Sequence, residues 1–372
     1  MTNERCGGID SQAVLDSLND GIYVVNRDRE IVYWGKSSQR ITGWTSEDVL
    51  GKRCSDGILC HVDKDGHQLC GEEHCPLHRA MVTGKSSTSP IILFAQSKDG
   101  RRVPLRVSVS PIWNAQGEVT GGVETFHDLS AEINDLERVK RIQSVSLGGE
   151  IPDDPRIQFR THYVPHDVIG GDYYAFRRID KNRYGFLLAD VTGHGPPAAL
   201  YTMCLSSLWL SNQDLISSPV EFARKASADL CELVAEEIAF AAAVCGVIDL
   251  KQNTLRLAGA GNPPPLVARA GGQWEELDCP GLPLGLVGGA DYEETCLEMH
   301  RGDCLLLFTD GAVEVHDADG RQLGTDGLTK ILKELGYPRA GASFEAIEEE
   351  MLKFSNRIRF DDDLTFLEIR VQ

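Results

Sequence analysis

Apolar and polar residues alternate along residues 10–129 in a pattern typical of short strands. The apolar segments predict strands at residues 21–25, 31–34, 91–94, 103–107 and 119–126. Polar turns at residues 26–29 and 114–117 separate two neighbouring pairs of these strands. Short helical patterns, such as residues 46–50, lie between the early and the late strands. This order predicts an α+β domain in which helices cover one side of an antiparallel five-stranded sheet.

A different pattern follows in residues 149–372, where longer apolar strands alternate with helical periodicity. Strands are predicted at residues 184–190, 239–249, 255–260, 304–309 and 364–371, and helices at residues 197–210, 219–236, 328–335 and 344–354. This mixed order predicts a layered α+β sandwich.

Residues 130–148 join the two regions, and their apolar residues recur every three positions from Ile133 to Val145 among charged ones. The pattern predicts an amphipathic helix over residues 130–146. Two interpretations stay open. The helix lies on one domain as a linker, or it forms a coiled-coil seam through which the chain makes a homodimer and transmits a signal.

Composition narrows the functional classes. The chain has 372 residues, 42% of them hydrophobic and 25% charged, as in an ordinary globular protein of two or three domains. Acidic residues outnumber basic ones by 56 to 37, which gives a formal net charge of -19. This balance disfavours nucleic acids and anionic membranes as partners, and it leaves carboxylates available for divalent cations.

The longest uncharged apolar run, residues 238–248, is too short to cross a bilayer, and the first residues lack the apolar core of a signal peptide. We therefore expect a cytoplasmic protein with no membrane span, whose 11 cysteines are largely reduced.

A cluster of cysteines and histidines marks an insert at residues 54–78. Cys54, Cys60, Cys70 and Cys75 lie within 22 residues, with four histidines among or just after them. Their spacing is not that of a standard zinc finger. Three interpretations stay open: a site for Zn²⁺ or an iron–sulfur cluster, a redox-switched disulfide, or a loop with free thiols.

Acidic residues of the second region stand where apolar strands begin or end. Asp172 follows two glycines, Asp190 and Asp310 end predicted strands, and residues 361–363 are three aspartates before the last strand. Each aspartate alone is typical of a turn or a helix cap. Together they can converge, and two divalent cations about 3.5–4 Å apart would relieve their repulsion and activate a water molecule. An all-oxygen set suits Mg²⁺ or Mn²⁺ better than Zn²⁺.

The first region resembles a PAS domain. Residues 18–26, 31–34 and 41–44 are similar to the opening of that family, and residues 125–130 are similar to its closing strand. The resemblance implies a sensor domain over residues 10–129 that contains the insert.

The second region resembles the PPM-type phosphatases of the SpoIIE/RsbU branch. Six blocks match in the right order, beginning with the Gly170-Gly171-Asp172 motif: residues 168–174, 189–200, 260–266, 282–285, 308–311 and 361–365. The resemblance implies an αββα sandwich over residues 149–372 and a metal-dependent phosphoserine/phosphothreonine protein phosphatase.

The same resemblance implies roles for single residues. Asp190 would bridge two Mn²⁺ or Mg²⁺ ions, the Val191 carbonyl would be a backbone ligand, and Asp310 and Asp362 would complete the metal site.

Other residues of these blocks would support the reaction by the same resemblance. Asp172 would orient the attacking water or bind a metal. Asp363 and Gly311 would hold the metal ligands in place without being ligands themselves. His194 would contact the phosphate or the leaving group, although a histidine between glycines is equally typical of a turn.

Three positions depart from the family pattern: Ala175 replaces an Asp, Asn262 a His and Pro196 a Val. None removes a principal ligand, so the favoured hypothesis is a PAS-regulated phosphatase acting on a phosphorylated anti-sigma-factor antagonist in a partner-switching pathway. The alternative is a non-catalytic interaction module with the phosphatase fold, controlled by metal or redox sensing in the PAS domain.

Overall fold

The computed structural model describes residues 5–6, 9–64, 66–71, 74–87, 90–149, 151–193, 195–233, 239–338 and 342–372. The chain divides into two compact units, Met1–Asp135 and Leu136–Gln372. The division lies inside the predicted linker helix, which extends over Ser130–Ser146.

The N-terminal unit contains a five-stranded antiparallel sheet. Its elements are β1 (Arg5–Cys6), β2 (Ile9–Asp10), α1 (Ser11–Asp16), β3 (Gly21–Asn26), β4 (Ile31–Trp34), α2 (Lys36–Thr42), α3 (Ser46–Val49), α4 (Pro76–Thr83), β5 (Ile91–Gln96), β6 (Arg102–Trp113), β7 (Val119–Asp128) and the start of α5 (Ser130–Ser146). The strand order is β4-β3-β7-β6-β5. This confirms the predicted α+β class. Helices α2 and α4 are additions that the sequence patterns did not predict.

Local side-chain chemistry sets the predicted hairpins. The Asn26 side-chain oxygen accepts hydrogen bonds from the backbone N–H groups of Asp28 and Glu30, which closes the turn between β3 and β4. Asn114 does the same between β6 and β7, where its side-chain oxygen accepts from the N–H groups of Gln116 and Glu118. Asparagine in these turns stabilises the register of the flanking strands because it replaces missing backbone partners.

The C-terminal unit contains two five-stranded sheets and four long helices of its own. Its elements are β8 (Ile157–Val164), β9 (Asp172–Arg178), β10 (Arg183–Val191), α6 (Pro196–Ser211), α7 (Pro219–Leu233), β11 (Ala241–Asp249), β12 (Thr254–Ala260), β13 (Leu266–Ala268), β14 (Trp274–Glu276), β15 (Glu294–Glu298), β16 (Cys304–Phe308), α8 (Gly324–Glu334), α9 (Phe344–Ser355) and β17 (Leu364–Val371). Short 3₁₀ turns occur at Gln213–Leu215 and Asp310–Ala312.

The two sheets pack face to face with helices outside. One sheet has the order β15-β12-β11-β10-β9 and the other β14-β13-β16-β17-β8. A buried core that includes Phe159, Phe186 and Leu305 fills the space between them. A second core joins the first sheet to α6 and α7, and a third joins the other sheet to α8 and α9. These four layers confirm the predicted αββα sandwich.

Most predicted strands appear with small changes of length, and the last one, β17, has the predicted bounds. Strands β8, β9, β13, β14 and β15 were not predicted, because they are either very short or rich in polar residues. The predicted end of the helix at residues 219–236 falls outside the described residues, since α7 is described only to Leu233. Among the described residues, no helix combines the length and apolarity that a bilayer crossing requires.

Candidate active site

Two pairs of neighbouring strands bring the predicted acidic residues to one edge of the sandwich. Asp172 begins β9, Asp190 is the last residue but one of β10, and the two are direct partners in the antiparallel register. In the other sheet, Asp310 comes two residues after β16, and Asp362 and Asp363 precede its neighbour β17. Side-chain contacts between the sheets then connect the two pairs, and these five aspartates are called the acidic centre below.

Asp172 is fully buried and is held by two threonines of the opposite sheet. Its Oδ2 atom accepts hydrogen bonds from the hydroxyls of Thr309, at 3.0 Å, and Thr365, at 2.5 Å. Its Oδ1 atom is buried and finds no hydrogen-bond partner among the described residues. A buried carboxylate oxygen without a partner is costly, so this atom is suited to bind a polar ligand or an ion.

Asp190 and Asp310 form the centre of the site, where each side chain shifts the pKa of the other. Burial is the main cause that raises the pKa of Asp190 to about 10, and repulsion from Asp172, Asp310 and Asp362 adds to it. Burial and then the charge of Asp362 also raise the pKa of Asp310. Burial and mutual repulsion therefore make full ionisation of these carboxyls unfavourable.

Asp362 and Asp363 are neighbours in sequence with different surroundings. Asp362 is exposed at the edge of the site. Asp363 is buried, and its carboxylate accepts the backbone N–H groups of His166, at 2.7 Å, and Gly171, at 2.5 Å. Asp363 thus fixes the loop that leads into Asp172, which agrees with a supporting role and not with metal ligation.

Two glycines allow this close packing. A Cβ atom on Gly170 would lie 2.3 Å from Oδ2 of Asp363, and one on Gly311 would lie 2.0 Å from the Asp363 carbonyl oxygen. Any side chain at either position would force the acidic loops apart.

The donor set fits divalent cations, although the site is not preassembled. Within the described ranges, no three or more His, Cys, Asp or Glu side chains are arranged to hold a metal ion. A divalent cation bound by Asp190 and Asp310 would relieve the repulsion that raises the pKa of Asp190. The Oδ1 atoms of Asp172 and Asp310 are both buried without a described partner, and every donor is an oxygen. This chemistry suits Mg²⁺ or Mn²⁺.

The other residues that the sequence analysis singled out lie in different surroundings. His194 lies outside the described residues. Val191 is the buried last residue of β10, directly after Asp190. Asn262 is at the same edge, where its side-chain amide donates to the Phe308 carbonyl at 3.0 Å. Pro196 begins α6, a favourable position because the first helical N–H needs no partner.

Ala175 is buried in the core beneath the first sheet, so a carboxylate there would not reach the acidic centre without disrupting packing. Thr309 and Thr365 are contacts that the sequence analysis did not assign. Their signal in the sequence was that both lie inside the matched blocks, residues 308–311 and 361–365, within two positions of an aspartate.

The cysteine-rich insert contains free thiols. Cys54, Cys70 and Cys75 line one small cavity of about 10 Å³, and Cys60 does not. Burial raises the pKa of Cys54 to about 12 and that of Cys70 to about 11, which keeps both thiols protonated at neutral pH. The described residues give no support to a zinc ion or an iron–sulfur cluster here. A redox role of these cysteines stays a prediction.

Fold and site together define a class of protein: a PAS domain combined with a PPM-type serine/threonine protein phosphatase domain. Residues 180–372 match the family model of stage II sporulation protein E (SpoIIE), and residues 19–131 match a PAS domain model. The chain belongs to the SpoIIE family.

Two curated relatives come from Bacillus subtilis (strain 168). The chain is 30% identical to phosphoserine phosphatase RsbP over 183 residues, which are 48% of this chain and 45% of RsbP. It is 25% identical to phosphoserine phosphatase RsbU over 252 residues, which are 66% of this chain and 73% of RsbU. The chain therefore spans less than half the length of RsbP.

Solved structures confirm the fold of the C-terminal unit. The SiaA-PP2C domain of Pseudomonas aeruginosa matches with a TM-score of 0.57 at 21% identity, covering 66% of this chain and all of that domain. The RsbU and RsbW domains of Rv1364c from Mycobacterium tuberculosis match with a TM-score of 0.50 at 20% identity, covering 61% and 63% of the two chains.

Proposed function

We propose that the chain is a PAS-regulated, metal-dependent phosphatase of phosphoserine and phosphothreonine in proteins. The observation that carries the proposal is the convergence of Asp172, Asp190 and Asp310 at one sandwich edge, with two buried carboxylate oxygens that lack a described partner. The names of the relatives RsbP and RsbU, both phosphoserine phosphatases, support the same activity.

Protein phosphatases of this class depend on Mg²⁺ or Mn²⁺. In this chain Asp190, the Val191 carbonyl, Asp310 and Asp362 would hold two such ions. Bound ions would supply positive charge for the phosphate oxygens and would lower the pKa of a water molecule.

The protein's own groups prepare the site for this chemistry. Asp172, held by Thr309 and Thr365, keeps one oxygen free of these hydroxyls and orients the attacking water. Asp363 fixes the backbone at Gly171 and so holds Asp172 in place. His194 would contact the phosphate or the leaving group.

The substrate that we propose is a phosphorylated anti-sigma-factor antagonist in a partner-switching pathway. We further propose that a change in the PAS domain alters the linker helix and thereby the acidic site. Both proposals draw on the family membership and on the order of the two domains along the chain.

Hydrolysis of p-nitrophenyl phosphate with Mn²⁺ tests the catalytic proposal. Asp190→Asn removes the central carboxylate, and we expect at least a hundredfold loss of kcat, as for other removals of a key electrostatic group. Asp214→Asn, which changes an exposed aspartate in the same unit, is the matched control and should retain activity. A wild-type chain that is inert with Mg²⁺ and Mn²⁺ would contradict the proposal and favour a non-catalytic interaction module.

A further inference from the structure

The carbonyl of Phe308, the last residue of β16, faces a place in the sheet where no backbone donor is available. Strand β16 pairs with β13 so that Leu306 stands opposite Leu266. The same antiparallel register, extended by two residues, brings Pro264 opposite Phe308. The N–H of Thr309 donates to β17. The Phe308 carbonyl, one residue earlier, therefore points to the β13 side, because successive residues of a strand bond in opposite directions.

The side chain of Asn262 supplies the missing donor. Pro264 has no N–H and Phe308 is fully buried, so the Phe308 carbonyl needs another donor. Asn262 stands just before the three prolines at residues 263–265, and its amide donates to this carbonyl at 3.0 Å. The same amide donates to the Pro263 carbonyl, also at 3.0 Å. The side chain thus takes the place of the backbone N–H that a proline cannot provide.

This contact joins the two sheets next to the acidic centre. Asn262 follows β12 of the first sheet, and Phe308 ends β16 of the second. The two residues after Phe308 are Thr309, whose hydroxyl donates to Asp172 at 3.0 Å, and Asp310. Because these residues are consecutive, a displacement of the Phe308 carbonyl would move both of them.

The oxygen of the Asn262 amide gains nothing from this arrangement. Its Oδ1 atom is buried and has no hydrogen-bond partner among the described residues. A buried acceptor without a partner costs free energy, which offsets what the donated hydrogen bonds contribute to stability. The net effect of this side chain on the free energy of unfolding is therefore small, and its main effect is local, at the end of β16.

We propose that Asn262 is a positioning residue for the reaction: by holding the Phe308 carbonyl, its amide places Thr309 and Asp310 for the binding of divalent cations. This inference rests on the proposed phosphatase function. Asn262 stands where the family pattern has a histidine, and a histidine ring N–H can donate to the same carbonyl. The departure from the pattern thus keeps the donor.

Asn262→Leu tests the proposal, because leucine has a similar shape and no amide. We expect the dissociation constant for Mn²⁺, measured by titration calorimetry without substrate, to rise about tenfold, as for other residues that hold metal ligands in place. Hydrogen-exchange mass spectrometry of the metal-free protein should show faster exchange over residues 308–312. The urea midpoint should change little, since the variant loses a donor and an unsatisfied acceptor together.

Two further variants return a donor to the Phe308 carbonyl. Asn262→His offers a ring N–H, and Asn262→Leu/Pro264→Ala offers a backbone N–H opposite this carbonyl. Both should bind Mn²⁺ nearly as tightly as wild type. Asn212→Leu is the matched control, because Asn212 is a buried asparagine of the same unit whose amide donates to the Leu208 carbonyl at 3.1 Å. It should leave the affinity for Mn²⁺ as in wild type.

Equal Mn²⁺ affinity in Asn262→Leu and wild type, or a failure of both donor-restoring variants, would overturn the proposal. A wild-type chain that binds no Mn²⁺ would instead contradict the proposed function. Exchange in the metal-free protein would then still show whether Asn262 holds the end of β16, so the two failures are distinguishable.

Discussion

At the scale of single residues, two aspartates of the acidic centre carry the same charge but differ in their hydrogen-bond partners. Asp172 and Asp363 are both buried aspartates near the same loop. Asp172 accepts from two threonine hydroxyls and keeps one oxygen without a described partner, whereas both oxygens of Asp363 accept backbone N–H groups. Their different partners support the proposal that Asp172 takes part in the chemistry and that Asp363 supports the loop.

Glu124 is a buried carboxyl of the N-terminal unit. Its Oε2 accepts the Tyr23 hydroxyl at 3.1 Å, and its Oε1 lies 3.7 Å from Nε2 of His61. Burial raises the pKa of Glu124 to about 8 and lowers the pKa of His61 to about 4. Both groups are therefore mainly uncharged at neutral pH, and the short distance does not make an ion pair there.

Glu124 makes the stability of the N-terminal unit pH-dependent. Its folded pKa of about 8 lies above the ordinary 4.5, so its stabilisation is complete below pH 4.5 and is lost as the pH rises through about 8. We expect the urea midpoint of this unit to fall between pH 7 and pH 9. Hydrogen-exchange mass spectrometry of peptides from β3 and β7, recorded across urea titrations, separates this unit from the other.

Glu124→Gln keeps an acceptor for Tyr23 but cannot ionise, so its urea midpoint should change little over the same pH range. Glu118→Gln, an exposed glutamate near the start of β7, is the control and should behave as wild type. The titration of His61 does not affect the urea midpoint between pH 7 and pH 9, because the pKa of His61 is about 4 in the folded chain and 6.5 ordinarily. A midpoint that still falls in Glu124→Gln would show that another group titrates.

Among the elements, helix α5 departs from the simple amphipathic pattern. Apolar residues spaced every three positions fall about 60° behind a full turn at each step, so they wind around the helix and do not form one stripe. Ile142 and Val145 are accordingly 58% and 84% exposed, and the polar Gln143 is the buried residue. Its side-chain amide donates to the Gly170 carbonyl, at 2.7 Å, and to the Thr202 hydroxyl, at 3.0 Å.

Gln143 connects α5 to the loop that leads into Asp172, and its loss should reduce activity. In Gln143→Leu the Gly170 carbonyl is left without this donor, and we expect about a tenfold lower kcat towards p-nitrophenyl phosphate, about 1.4 kcal/mol of transition-state stabilisation. Ser144→Ala, at the neighbouring exposed position, should leave kcat as in wild type. Equal rates in Gln143→Leu and wild type would mean that this contact does not position the loop.

At the scale of the whole molecule, the homodimer interpretation of α5 stays a prediction beside that of a linker packed on one domain. Ile142 and Val145 leave apolar surface uncovered in a single chain, and a second copy would cover it. We expect light scattering after size exclusion to give the mass of a dimer. Ile142→Asp/Val145→Asp should give a monomer, because a dimer would bury its charges.

Leu233→Asp is the control for this experiment, since Leu233 is a similarly exposed apolar residue on a different helix of the C-terminal unit. This variant should remain dimeric. A monomeric wild type, or a dimer that survives both charges on α5, would contradict the role of this helix in assembly.

The sequence alone determined most of the longer elements and the candidate acids, because both depend on local order. Strand β17 and helix α5 follow from apolar spacing, and Asp190 and Asp310 from their places at the ends of apolar strands. Only the tertiary structure decided which side chains meet across the sandwich. Thr309 and Thr365 contact Asp172 from the other sheet. Gln143 is buried because α5 directs its side chain towards the Gly170 carbonyl. None of these contacts produces a periodic pattern in the sequence.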